Sequence, residues 1–308
     1  MFATNNSRRT FLRLGVGAVV AAGMPSGPLA ANTLLRSRPI PATGELLPVV
    51  GLGTYRSFDV GVAESDRSPL RRVLGLFVDN GGTLVDTSPM YGSAEAVVGD
   101  LADEAGATER LFLATKVWTR GRQDGIAQMQ RSLALLQRTK IELMQVHNLV
   151  DVETQLATLA DWKARSIVRY VGITHYTPDA FMELEAILSC YPIDFVQFPC
   201  SIANRAAEQR LLAAAADRGV AVITHRNFEK GRLFKQVQGH ALPAWAHEFD
   251  CRTWGQFFLK YVLAAPAVNC VIPATGNPKH LLDNLQAGRG ALPDAAQRQR
   301  MVNVIDNL

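Results

Sequence analysis

The sequence predicts a single (β/α)₈ barrel over residues 38–308, and three observations carry that prediction. First, short apolar runs alternate with longer segments of helical period eight times, over the roughly 250 residues such a barrel needs. Second, nearly every apolar run ends in a polar or ionisable residue, at the carboxyl end where parallel barrels collect their chemistry. Third, Gly51-Leu52-Gly53 does not continue into Gly-x-Gly-x-x-Gly, which removes the main signature of a doubly wound dinucleotide-binding sheet.

The first element lies outside the barrel. Ser7-Arg8-Arg9-Thr10-Phe11-Leu12-Arg13 resembles a twin-arginine export signal, and the apolar run 14–24 follows it, then Pro25, Pro28 and the small residues Ala30 and Ala31. Residues 1–31 are therefore expected to be a signal peptide, read by the twin-arginine export machinery, with the protein exported to the periplasm. The run is too short to span a bilayer of roughly 30 Å hydrocarbon thickness, so no membrane anchor is expected. This leader holds Arg8, Arg9 and Arg13 and no acid, which accounts for three of the four net positive charges. The remainder is close to neutral, and nothing in it suggests a nucleic-acid partner.

A hairpin around Thr43-Gly44-Glu45 comes next, flanked by Arg38-Pro39-Ile40-Pro41 and Leu46-Leu47-Pro48-Val49. Barrel strands are expected at 49–53, 83–86, 111–116, 143–147, 170–174, 195–198, 221–224 and 269–272. Helices are expected at 69–80, 94–105, 123–137, 152–164, 178–189, 207–218, 253–263 and 278–288, with one more at 293–307. Ser68-Pro69 and Thr177-Pro178 mark helix starts, because proline suits the first helical position. Asn80-Gly81-Gly82, Gly106 and Gly219 mark helix stops. Residues 226–247 read as an elaborated loop after the seventh strand. The four cysteines show no Cys-x-x-Cys spacing, and no set of His, Cys and carboxylates makes a metal site. Cys200 and Cys270, at the ends of apolar runs, are expected to be buried free thiols.

The candidate site comes from the strand ends. The stretch 83–92 reads as a buried strand ending in Asp86, then a tight Ser88-Pro89 turn carrying Tyr91. Lys116 and His147 end the third and fourth strands. A phenol of ordinary pKa about 10 is a poor acid near neutrality. A neighbouring ammonium favours the phenolate, so Lys116 is expected to lower the pKa of Tyr91. A buried lysine needs a counter-ion to keep its proton, which Asp86 would supply. A neutral His147 can orient a carbonyl oxygen. Among the aromatics, Trp118 reads equally as a pocket wall or a barrel-rim aromatic, Tyr55 and Phe58 could wall the pocket from the first loop but read more readily as packing, and Trp162 and Trp254 read as core.

These residues carry a family resemblance. Gly51-Leu52-Gly53-Thr54, Asp86-Thr87-Ser88-Pro89-Met90-Tyr91-Gly92, Ala114-Thr115-Lys116-Val117-Trp118, Gln145-Val146-His147-Asn148 and Val171-Gly172-Ile173-Thr174 resemble the aldo-keto reductases. Val196-Gln197, Val271-Ile272-Pro273-Ala274-Thr275 and Asp283-Asn284 extend the likeness to about residue 290, in family order. The resemblance implies a barrel that binds NADPH and reduces aldehydes or ketones, with a small carbonyl compound as substrate. It implies Tyr91 as general acid, Lys116 tuning it, Asp86 pairing with Lys116, and His147 positioning the carbonyl. It places the cofactor against Gly53, Thr54, Thr174, His175, Gln197, His225, Arg226, Thr275, Asn277 and Asn284. The chain departs from the family at His175 for an asparagine, His225 for a tyrosine that stacks on the nicotinamide, Ala274 for a lysine and His280 for an arginine. NADH is therefore the alternative cofactor, and a nucleotide-binding sensor with little turnover the alternative function.

Overall fold

A computed structural model of the protein describes residues 34–308. The leader, and with it the export reading, lies outside the described residues. The chain first forms a hairpin of β1 (Ser37–Pro39) and β2 (Leu46–Pro48), antiparallel, with Pro39 opposite Leu46. Eight parallel strands follow: β3 (Leu52–Gly53), β4 (Leu84–Asp86), β5 (Phe112–Val117), β6 (Ile141–His147), β7 (Val168–Thr174), β8 (Phe195–Pro199), β9 (Ala221–His225) and β10 (Val268–Val271). They pair in chain order. The barrel closes where Gly51 N–H donates to the Val271 carbonyl at 2.8 Å, with a parallel bridge between Gly53 and Ala274. Gly53 permits this closure: a Cβ there would sit 2.7 Å from the Ile272 carbonyl oxygen.

Period-two alternation explains how one interior is both core and site. Leu84, Phe112, Ala114, Leu143, Tyr170, Phe195, Ala221, Ile223 and Cys270 point inward and form a buried apolar plug, to which the hairpin adds Ile40 and Leu47. Later residues of the same inward rows are Asp86, Lys116, Gln145, His147, Thr174 and Gln197, all buried. Each strand thus places its apolar members toward its start and its polar members toward its end. Register then lines the polar ones up, with Lys116 beside Gln145, His147 beside Thr174, and Thr174 beside Gln197.

The helices pack outside as a second core: α1 (Glu64–Asp79), α2 (Ala94–Glu104), α3 (Arg122–Leu135), α4 (Val152–Ala164), α5 (Phe181–Cys190), α6 (Ala206–Gln209), α7 (Leu211–Asp217), α8 (Arg232–Gln236), α9 (Trp254–Leu263), α10 (Pro278–Ala287) and α11 (Ala295–Asp306). Among the described residues no helix is long and apolar enough to cross a membrane. Cys200, Cys251 and Cys270 are buried free thiols and Cys190 is an exposed one.

Four boundaries differ from the sequence expectations. The strand expected at 49–53 keeps ladder pairing only at Leu52–Gly53 and otherwise makes isolated bridges. Helix α1 begins a turn before Pro69, which lies inside it. That exposed first turn is held by side chains: Arg67 pairs with Asp100 at 2.7 Å, and Arg71 pairs with Glu64 and Glu104. The helix expected at 207–218 breaks at Arg210, whose φ of −146° is not helical. Glu208, just before the break, accepts from Tyr261 and Arg298 at 2.8 Å each, so tertiary anchoring outweighs helix continuity there. Residues 226–247 hold α8 and a 3₁₀ turn at Glu229–Gly231 within the expected loop.

Candidate active site

Strand β4 stops at Asp86, where the Thr87 N–H reaches across to the Ala114 carbonyl at 2.8 Å. The chain then turns: Tyr91 N–H donates to the Ser88 carbonyl at 3.0 Å, which folds the phenol back over the strand end. Gly92 makes the turn affordable, since its φ is +60° and any Cβ would fall about 2 Å from Asp59. The Asp59 carboxylate instead accepts the Ser93 N–H at 3.0 Å and pins the loop.

Beneath the phenol lies a buried ion pair. Lys116 Nζ is 2.8 Å from Asp86 Oδ2 and donates also to the Thr87 carbonyl at 2.6 Å. Asp86 Oδ1 accepts from Gln145 Nε2 at 3.2 Å, and Oδ2 from Gln197 Nε2 at 3.5 Å. Thr54 gives both its N–H and its hydroxyl to the Asp86 carbonyl, so it secures the strand end. Lys116 Nζ sits 5.1 Å from the centroid of the Tyr91 ring, and the His147 ring meets that ring edge-on at 6.2 Å. Tyr55 contacts Tyr91 edge-on at 5.0 Å, and Trp118 lies 6.5 Å from His147, both partly exposed at the rim. Phe58, by contrast, is wholly buried core, as is Trp162, while Trp254 is half-buried against Phe257 and Phe258.

Each ionisation state has a physical cause. Burial pulls the Lys116 pKa down, but Asp86 and the phenol more than offset it, so the ammonium is held above the ordinary lysine value. Burial raises the Tyr91 pKa, and this outweighs the lowering by Lys116. The expected lowering is therefore corrected: the ammonium acts in that direction, but desolvation of the half-buried phenol wins. Burial, with Lys116 second, depresses His147 to about 2, so its imidazole is neutral. His225 falls to about 3 for the same first reason, with Arg226 second.

The remaining named residues form two further groups. At the ends of β7 and β9, His225 Nε2 lies 3.2 Å from the His175 carbonyl, His175 stacks on Tyr176, and Arg226 covers the other ring system at 4.9 Å from the Tyr176 centroid. Thr174 is buried beside them, and its carbonyl accepts the Asn148 N–H at 2.8 Å. At the entry to α10, the Thr275 hydroxyl accepts the Asn277 N–H at 3.0 Å and Asn277 caps the helix through the Lys279 N–H at 2.9 Å. Asn284 is buried on α10, while Ala274 and His280 are exposed. No hydrogen bond joins this group to the ion pair among the described residues.

Sequence reasoning passed over Gln145, Ser88 and Glu95. Gln145 stands two residues before His147 on the same inward row, so strand alternation was the signal. Ser88 lies 3.2 Å from His147 Nδ1 through its hydroxyl. Glu95 is buried in the first turn of α2 with Thr115 and Ser132 hydroxyls as its partners, and burial raises its pKa.

A parallel (β/α)₈ barrel with a buried ion pair, a phenol and a neutral imidazole at its carboxyl-end rim is the class of protein these features define. Residues 49–299 match the model of the aldo/keto reductase family, and the chain belongs to that family. Over 199 residues it is 25% identical to the aldo-keto reductase YhdN of Bacillus subtilis, a match spanning 60% of this chain and 59% of that protein. It is 27% identical over 249 residues to the methylglyoxal reductase YeaE of Escherichia coli, covering 77% of this chain and 84% of that one. Its fold superposes on an aldo/keto reductase from Klebsiella pneumoniae in complex with NADP and acetate, with a TM-score of 0.73, 22% identity, and 85% and 93% of the two chains covered.

Proposed function

We propose that the protein reduces an aldehyde or ketone to the alcohol using a reduced nicotinamide cofactor, with Tyr91 as proton donor. The observation that carries this reading is the Lys116 ammonium, paired with Asp86 and set under the Tyr91 ring, with neutral His147 alongside. Burial keeps the phenol protonated at neutral pH. The adjacent ammonium stabilises the phenolate left after the proton moves to a substrate oxygen. His147, uncharged, offers an N–H to orient that oxygen and withholds a competing proton.

The residues fit the cofactor. The Gln197 Oε1 is buried with no hydrogen-bond partner among the described residues, and a carboxamide N–H is the kind of donor it lacks. Gln197 with Thr174 and His175 would hold the nicotinamide amide, with His225 against the ring. Asn277, Thr275, Asn284 and Arg226 would serve the phosphates and adenosine, helped by the positive end of α10. Such a cofactor supplies the hydride. Gly53, which lets the barrel close, and Thr54, which anchors Asp86, would complete the cofactor site at the first strand end.

Purified protein should oxidise NADPH or NADH in the presence of an aldehyde panel, and Tyr91→Phe should cut turnover by about 10²–10⁴ while leaving nucleotide binding intact. Equal turnover in the variant would refute the assignment. Tight nucleotide binding with no reduction of any aldehyde would support the sensor alternative instead. Because the His147 pKa is held near 2, the rate should show no step from that group between pH 5 and 8. The reading includes export: the Arg8-Arg9 leader would route the folded protein through the twin-arginine machinery to the periplasm. Changing both arginines to lysine should retain it in the cytoplasm on cell fractionation, and unchanged distribution would remove the export proposal.

A further inference from the structure

We propose that Ser88 is a positioning residue that fixes His147 in the tautomer protonated on Nε2. The inference rests on the reading of His147 as the group that meets the substrate oxygen. Ser88 is fully buried. Its hydroxyl has two neighbours among the described residues: the Met90 backbone N–H at 3.3 Å and His147 Nδ1 at 3.2 Å. A hydroxyl carries one hydrogen and two lone pairs. The Met90 N–H can only donate, so it occupies a lone pair. The hydroxyl hydrogen then has one acceptor within reach, Nδ1, and that nitrogen must be bare to accept it.

The alternative tautomer, with the hydrogen on Nδ1, leaves the Ser88 hydrogen buried without an acceptor. An unmade buried hydrogen bond is worth roughly tenfold or more in such an equilibrium. His147 is neutral, because burial and the Lys116 charge depress its pKa, so the ring carries one hydrogen in all. That hydrogen is therefore on Nε2, which has no hydrogen-bond partner among the described residues and is left for a ligand oxygen. The turn that presents Tyr91 is the same turn that sets His147. The Ser88 carbonyl receives the Tyr91 N–H, and the Ser88 hydroxyl reaches across to the end of β6.

Nitrogen NMR of protein labelled in its histidines tests this without any substrate, with His147→Asn identifying the signals. In the wild type at neutral pH, Nε2 should carry the proton and Nδ1 should be bare. In Ser88→Ala the two tautomers should mix, and kcat on an aldehyde that the wild type reduces should fall by about twofold, in proportion to the Nε2–H fraction lost, with KM unchanged. Ser88→Thr, which keeps the hydroxyl, should restore both readings. A wild-type His147 protonated on Nδ1 would overturn the proposal, as would a Ser88→Ala variant unchanged in both tautomer and kcat. The tautomer is read without turnover. A protein that reduces no carbonyl yet shows Nε2–H would lose its proposed function and keep this inference. Active protein with the other tautomer would do the reverse.

Discussion

Lys116 and Lys260 are both almost wholly buried, in opposite electrical surroundings. Lys116, inside the barrel, faces the Asp86 carboxylate at 2.8 Å. Lys260, on α9, faces no carboxylate in contact among the described residues; its Nζ donates to the Arg289 and Ala291 carbonyls at 2.7 Å each. Burial alone lowers both pKa values, and only the first is recovered, to above the ordinary lysine value. The second drops to about 8. A full counter-charge offsets desolvation where carbonyl dipoles do not. The barrel interior is thus built to keep an ammonium charged at the strand ends, and the outer layer merely tolerates one.

Breaking the pair tests this most sharply. Asp86→Asn leaves the shape and removes the charge, and should cost about 3–5 kcal/mol of stability at pH 7, read by denaturant unfolding. Lys260→Met removes a charge that has no carboxylate partner among the described residues, and should move stability by no more than about 1 kcal/mol at the same pH, because lost carbonyl contacts oppose relieved desolvation. Equal losses in the two variants would dissolve the contrast.

A further effect of the same contrast is one of slope. The folded pKa of Lys260, about 8, lies below its unfolded value of 10.5. Between those values the unfolded chain binds more protons, so stability rises with pH. The folded pKa of Lys116 is raised, so its contribution is fully present below 10.5 and lost only as pH climbs past that. Wild type should therefore gain stability relative to Lys260→Met from about pH 8 to pH 10. A flat difference would mean that Lys260 keeps its proton.

The strands were legible because alternation and apolar runs survive any tertiary context, and β4 to β10 fall within a residue or two of their expected positions. Helix starts were less so. Pro69 reads as a first helical residue, yet Arg67 and Arg71 recruit carboxylates that hold one more turn before it. At the site, Asp86, Tyr91, Lys116 and His147 could be named from strand ends. Gln145 could have been, from its inward row. Ser88 could not, because its partner is 59 residues away and nothing local marks a hydroxyl that will face an imidazole.

The sequence by itself determined the barrel, the order of its strands and which residue types stand at their carboxyl ends, since these follow from local periodicity and punctuation. Only the tertiary structure decided the protonation states and the hydrogen-bond directions. Tyr91 has its pKa raised where Lys116 alone would have lowered it, because desolvation depends on how much water the finished fold excludes from the phenol. No spacing along a chain encodes that quantity.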